Sequence, residues 1–133
     1  MEWSRCKGED PALIEREWGE DAIIRYRCSG QVSIRELLET LQETVADHRY
    51  QETTASIWDL RGGEYTFGYQ EHQLAAPNFK AALGKPDDVR KTAWVVQYQM
   101  SEAIIDMYYR DHEWPQEWRS FNSVEAAEAW CLA

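Results

Sequence analysis

The sequence holds no long apolar run and no CxxC pair, and basic residues are few: 14 Lys and Arg against 24 Asp and Glu, a net charge of −10. A membrane-spanning helix needs about 18 or more apolar residues in succession, so no transmembrane segment is expected. With so few basic residues there is no footprint for a nucleic-acid backbone, and an anionic membrane surface is disfavoured for the same reason. The three cysteines, Cys6, Cys28 and Cys131, are odd in number and far apart, which excludes a zinc knuckle and a redox dithiol motif. Read instead as small hydrophobes, they suit the reducing cytosol. Residues Met1 to Asp10 contain no apolar core of a secretory signal, so a cytoplasmic location is expected. Histidine is scarce. His48, His72 and His112 lie in no metal or nucleophile motif, and the contiguous Asp111-His112-Glu113 points its side chains apart. No catalytic residue, metal or cofactor is indicated, and the chain is not expected to be an enzyme.

What is present fits one α/β domain over residues 1–133, a length that can bury a real core. Hydrophobic residues make up 44%, which argues against disorder, and seven Trp and seven Tyr supply large buried area or sticky surface. The acidic excess favours solubility or a basic partner protein. Over the last 33 positions seven acids stand against two arginines, interleaved with aromatics rather than run together, as on a solvated face.

Hydrophobic spacing sets the order of elements. Leu13–Trp18 and Asp21–Cys28 read as two strands joined at Gly19-Glu20, a hairpin, with Gly30 closing the second. Ser33-Ile34-Arg35-Glu36 is a capping box opening a helix with an apolar stripe of Ile34, Leu37, Leu38, Leu41 and Val45. Thr54–Leu60 is a strand, after which Arg61-Gly62-Gly63 signals a turn. A helix from about Gly68 to Leu83 would bury Leu74, Phe79, Ala82 and Leu83, with Pro77 bending or restarting it. Lys91–Gln97 is a central strand covered on both faces, and Ser101 caps a further helix. Trp118–Phe121 is a short strand, and Asn122 or Ser123 caps a last helix facing inward with Val124, Ala127, Trp130 and Cys131. The result is a mostly parallel central sheet with an N-terminal antiparallel hairpin and about four helices.

Two segments resemble the SpoIIAA-like family of the STAS superfamily. Ile57-Trp58-Asp59-Leu60-Arg61-Gly62 is similar to that family's apolar strand ending in Asp-Leu-Arg-Gly or Asp-Leu-Ser-Gly. Arg119 to Trp130 resembles its closing strand and its helix ending in Ala-x-x-Trp-Leu. The resemblance follows the element order over nearly the whole chain and implies a STAS/SpoIIAA-like fold with a non-enzymatic regulatory or protein-interaction role. It also implies an alternative, since the fold is similar to lipid-binding Sec14-type domains: a carrier of a small lipophilic or anionic ligand. The phosphorylatable Ser turn of anti-sigma-factor antagonists is missing. Its place is taken by Glu64-Tyr65-Thr66-Phe67-Gly68, where Thr66 is the only hydroxyl beside the Gly, a candidate phosphosite or simply a helix cap.

Ligands of open α/β sheets bind beyond the carboxyl ends of the strands. That rule nominates Asp59, Arg61 and Gly62 after one strand, Gln97, Tyr98, Gln99 and Ser101 after the next, and Asn122 after the last. Arg61 beside a helix N-terminus at Ser101 would suit a carboxylate or phosphate; alternatively Asp59 and Arg61 bond turn amides and each other. Tyr108, Tyr109, Trp114 and Trp118 cluster around Pro115, as a pocket, a partner surface or packing onto the core. The partner and the ligand are not named by the sequence, and a homodimer through an edge strand is a further candidate.

Overall fold

Ile23 and Ile24 are neighbours in the chain and both buried, yet they belong to different cores. That follows from strand geometry, in which successive side chains point to opposite faces of a sheet. In the computed structural model, which describes residues 4–7, 13–65, 70, 74, 77–79, 81–82, 90–97 and 117–133, both residues open a strand of a six-stranded sheet. The strands are β1 (Ser4–Lys7), β2 (Leu13–Trp18), β3 (Ile23–Val32), β4 (Ala55–Tyr65), β5 (Lys91–Val95) and β6 (Glu117–Phe121). They lie side by side in chain order. β1–β2 and β2–β3 pair antiparallel, and β3 through β6 run parallel. The sheet therefore has the expected hairpin and parallel body, plus an edge strand that the sequence reading did not contain. β1 is four residues long, too short for alternation to mark it.

The first core lies between the sheet and α1 (Ile34–Ala46). Ile14, Ile24, Tyr26, Cys28, Val32, Trp58, Leu60 and Val96 meet Leu37 and Leu41 of the helix there. Tyr26, Trp58 and Trp94 stand opposite one another across β3, β4 and β5. Tyr26 stacks on Trp58 with centroids 3.7 Å apart, and Trp58 on Trp94 at 5.6 Å. The capping box forms as the sequence predicts: Ser33 Oγ accepts from the Glu36 amide at 3.2 Å and the Glu36 carboxylate accepts from the Ser33 amide at 3.1 Å. The buried face is turned from the expected stripe. Leu37, Thr40, Leu41 and Thr44 are buried, whereas Ile34, Leu38 and Val45 are half-buried.

The second core lies on the other face, where α2 (Val124–Leu132) places Ala127 and Cys131 against Ile23, Ala55, Ile57, Ala93 and Val95. Ser123, not Asn122, is the N-cap, accepting from the Ala126 amide at 3.2 Å. Trp130 is half-buried rather than central: it leans on Phe121 at 5.7 Å, and the cations of Lys91 and Arg119 sit over its ring. β5, with a helix packed on one face and the aromatic core on the other, is the two-sided central strand its apolar run implies.

Several expectations need correction. Gly30 does not close β3, which runs on to Val32, and Arg61-Gly62-Gly63 is not a turn but part of β4. The two extensions pair with each other, Ser29 with Gly62 and Gly30 with Gly63, after a bulge between Arg27 and Ser29. Gly30 takes φ 74°, a conformation that glycine adopts at no steric cost, so the strand can bend there without ending. Leu74 is 80% exposed rather than buried, while Phe79 and Ala82 pack on the first core. The described α-helical segments are α1, the helical residues between 70 and 82, and α2. The helix expected after Ser101 lies outside the described residues, as does Leu83.

Candidate functional site

β5 and β6 end in one row across the sheet, while β3 and β4 run past it. Glu15 of β2, Arg27, Asp59, Val95 and Phe121 stand opposite one another in register across the sheet, on the face that carries α2. Just beyond that row opens a cleft of ≈ 560 Å³ lined by Arg27, Cys28, Ser29, Asp59, Arg61, Gly62, Val96, Gln97 and Asn122. The rule that nominated carboxyl-terminal ends thus brings Asp59, Arg61, Gly62, Gln97 and Asn122 to one place. Arg27 and Ser29 were missed because nothing in the pattern of β3 marks where its neighbour's partners stop. Only the register with β4 supplies that signal.

Two ion pairs form the charged part of the lining. Arg61 grips Asp59 with a fork, Nε to Oδ1 at 2.9 Å and Nη2 to Oδ2 at 2.9 Å, and its amide donates to Oδ1 at 3.1 Å. Arg27 meets Glu15 at 3.1 Å. Burial pushes the Asp59 carboxyl up, but the Arg61 hydrogen bonds and the charges of Arg61 and Arg27 outweigh it and hold the group below the usual carboxylate range. The Arg61 guanidinium is raised above its ordinary value by the Asp59 hydrogen bonds. The pairing that the sequence offered as the alternative to ligand binding, Asp59 and Arg61 bonding each other and a local amide, is therefore formed.

The floor is backbone. Opposite Gly62 the Cys28 carbonyl comes so near that an added Cβ would lie 2.9 Å from its oxygen. The Cys28 side chain itself is fully buried in the first core, so this residue lends the cleft main chain rather than a thiol. Asn122 and Gln97 are exposed at the rim, one residue ahead of the Ser123 cap of α2 in the first case.

Of the remaining nominated residues, Thr66, Tyr98, Gln99, Ser101, Tyr108, Tyr109 and Trp114 lie outside the described residues. Trp118 is half-buried and packs against the first core, away from the cleft. His48 is exposed at the end of α1, with Nδ1 3.6 Å from Asp47; His72 and His112 lie outside the described residues. Among the described residues no group of three or more His, Cys, Asp and Glu could hold a metal ion, and no helix is long and apolar enough to cross a membrane.

No family model matches the sequence, and no curated protein matches it either. The solved structures do supply a likeness. An uncharacterized protein of the DUF3478 family from Shewanella loihica, described as having a SpoIIAA-like fold, superposes with a TM-score of 0.60 over 94% of this chain and 97% of its own, at 13% identity. At that identity the likeness speaks for architecture alone, and it agrees with the resemblance carried by Ile57–Gly62 and by Arg119–Trp130. The chain has a SpoIIAA-like α/β fold.

Proposed function

We propose that this chain is a non-enzymatic regulatory or protein-interaction domain that meets its partner at the cleft beyond Asp59 and Arg61. One observation carries the reading: the cleft's charges are already matched in pairs, yet stay in reach of solvent. The Arg61 side chain keeps 40% of its exposure and that of Arg27 keeps 49%. A general base must be free to take a proton near neutrality, and Asp59 is neither free nor near neutral. The buried Cys28 offers no nucleophile to the cleft. Exchangeable ion pairs with Ser29, Gln97 and Asn122 beside them suit an acidic or polar segment of another protein, which would trade places with Asp59 or Glu15.

The volume favours a second reading. A cleft of ≈ 560 Å³ falls within the range of small-molecule sites, so a carrier of a small anionic ligand is the alternative. The Arg27 and Arg61 guanidiniums in the lining favour an anionic ligand over a purely lipophilic one. Native mass spectrometry of the freshly purified chain and affinity capture separate the two. The interaction reading expects a bare protein mass, as monomer or dimer, and a captured protein that is lost with Arg61→Glu but kept with Arg35→Glu, a charge reversal on an outer face of α1. A co-purified molecule of small mass, displaced in Arg61→Glu and with no captured protein, overturns it in favour of the carrier.

A further inference from the structure

At the other end of the sheet, where Trp18 pairs with Ile24 at the start of β3, two buried hydrogen-bond donors find no acceptor among the described residues. They are Arg16 Nε and Trp18 Nε1, two residues apart on β2 and therefore on one face. We propose that Arg16 and Trp18 hold a small oxyanion there, in a site separate from the cleft and independent of the reading given for it.

Three features point the same way. Arg16 reaches inward, its Nη1 donating to the buried Thr44 Oγ1 at 3.0 Å, and among the described residues no carboxylate lies within ion-pair distance of it. Arg25, the comparable inward arginine of β3, has two: Asp21 at 2.8 Å and Glu128 at 2.7 Å. A drawn-in guanidinium without a counter-charge is costly, and native proteins rarely leave one so. Secondly, both orphaned groups can only donate, so whatever satisfies them must accept. Water would answer the donors, whereas an oxyanion answers the donors and the charge together. Thirdly, a second cation borders the site. The Arg49 guanidinium lies 4.6 Å from the Trp18 ring and that of Arg16 lies 5.3 Å from it. Asp47 is occupied by Arg49 through both oxygens, at 3.0 and 2.8 Å. Arg49 keeps 48% of its side-chain exposure, so this second cation stands at the solvent side of the site.

The Trp18 indole N–H is its own reporter. Its resonance in a proton–nitrogen correlation spectrum, assigned by its loss in Trp18→Phe, is followed while sodium phosphate, sulfate or acetate is added, against sodium chloride at matched ionic strength. A saturable shift with an oxyanion and none with chloride is expected, and the preferred anion tells a phosphoryl or sulfuryl group from a carboxylate. Arg16→Gln should weaken the response on the order of tenfold, the loss of a charge-assisted hydrogen bond. Arg16→Lys keeps the charge but has no Nε–H, and should weaken it also where the Gln variant does not fold. A Trp18 resonance that stays still, moves equally in chloride, or responds unchanged in either Arg16 variant overturns the proposal and leaves water as the partner of both donors.

Discussion

The Tyr26 hydroxyl donates to Thr44 Oγ1 at 2.6 Å, and through this bond the middle of the sheet is tied to α1 in a place neither residue can leave. Thr44 is 1% exposed and its hydroxyl is fully engaged: it donates to the Thr40 carbonyl at 2.9 Å and accepts from Tyr26 and from Arg16. Removing one partner or the shared one has different consequences. Tyr26→Phe keeps the ring stacked on Trp58 and leaves Thr44 two other partners, so it should cost about 1 kcal/mol. Thr44→Val removes the acceptor shared by the Tyr26 hydroxyl and Arg16 Nη1, so it should cost more, roughly 2–4 kcal/mol. Urea denaturation of the two variants checks this; equal losses would show that the hydroxyls are not coupled through Thr44.

That same network shows where sequence patterning stops. Leu37 and Leu41 were legible as buried because apolar spacing at i and i+4 is a helix signal, and Ser33 with Glu36 marked the start of α1 without ambiguity. Thr40 and Thr44 were not, since a threonine on a helix reads as surface until a tyrosine of a distant strand is known to face it. The cleft divides likewise. Asp59, Arg61 and Asn122 were found because polar residues directly follow apolar runs there, although β4 itself continues past Arg61 to Tyr65. Arg27 and Ser29 were not, since β3 outruns β5 and β6, and strand length in a sheet is decided by neighbours. The glycines misled most. Gly30, Gly62 and Gly63 carry the signature of turns, but here they allow two strands to approach and bend while still paired.

Gly62 gives that point a measurable form. The position needs glycine for lack of space: an added Cβ would lie 2.9 Å from the Cys28 carbonyl oxygen, and a backbone atom cannot swing aside as a flexible side chain can. Gly62→Ala should therefore destabilise by roughly 1–3 kcal/mol through a forced shift of β3 against β4. A thermal melt of the variant checks it. Amide exchange should show the loss concentrated in residues 27–32 and 59–63, the strand extensions that form the cleft floor. An unchanged melting temperature would mean that the two strands are farther apart than described.

Acid should unfasten both ends of the sheet. The Arg25 side chain, by hydrogen bonding, holds the Asp21 carboxyl below its ordinary value; at Asp59 burial acts upward but Arg61 and its amide prevail, again leaving the group low. A carboxyl lowered on folding adds stability that is fully present above its unfolded pKa, about 3.9, and is lost as pH falls through the lower folded value. Urea midpoints should accordingly be flat between pH 7 and 5 as far as these groups are concerned, and fall below pH 4. Asp21→Asn and Asp59→Asn should each be less stable than wild type at pH 7 and should converge on it in acid. Variants that run parallel to wild type at every pH would show that neither pairing contributes.

The two buried cysteines should be chemically silent in the folded chain. Cys28 is fully enclosed in the first core, and burial pushes the Cys131 thiol up to about 11. Since only the thiolate attacks a disulfide reagent, that rise alone cuts the reactive fraction of Cys131 at pH 8 on the order of a hundredfold relative to a free cysteine. With Cys6 replaced by serine to leave these two, a chromogenic disulfide reagent should label the native chain slowly and both thiols at once after denaturation. Order of labelling carries the structural content. Cys131 sits in the last turn of α2, where helix ends fray, whereas exposing Cys28 requires opening the first core between the sheet and α1. Cys131 should therefore react first, and its rate should rise in Trp130→Ala, which removes the neighbouring ring that packs on Phe121 beneath the cations of Lys91 and Arg119. A variant in which Cys28 is labelled before Cys131 would place the weaker half of the molecule on the other face of the sheet.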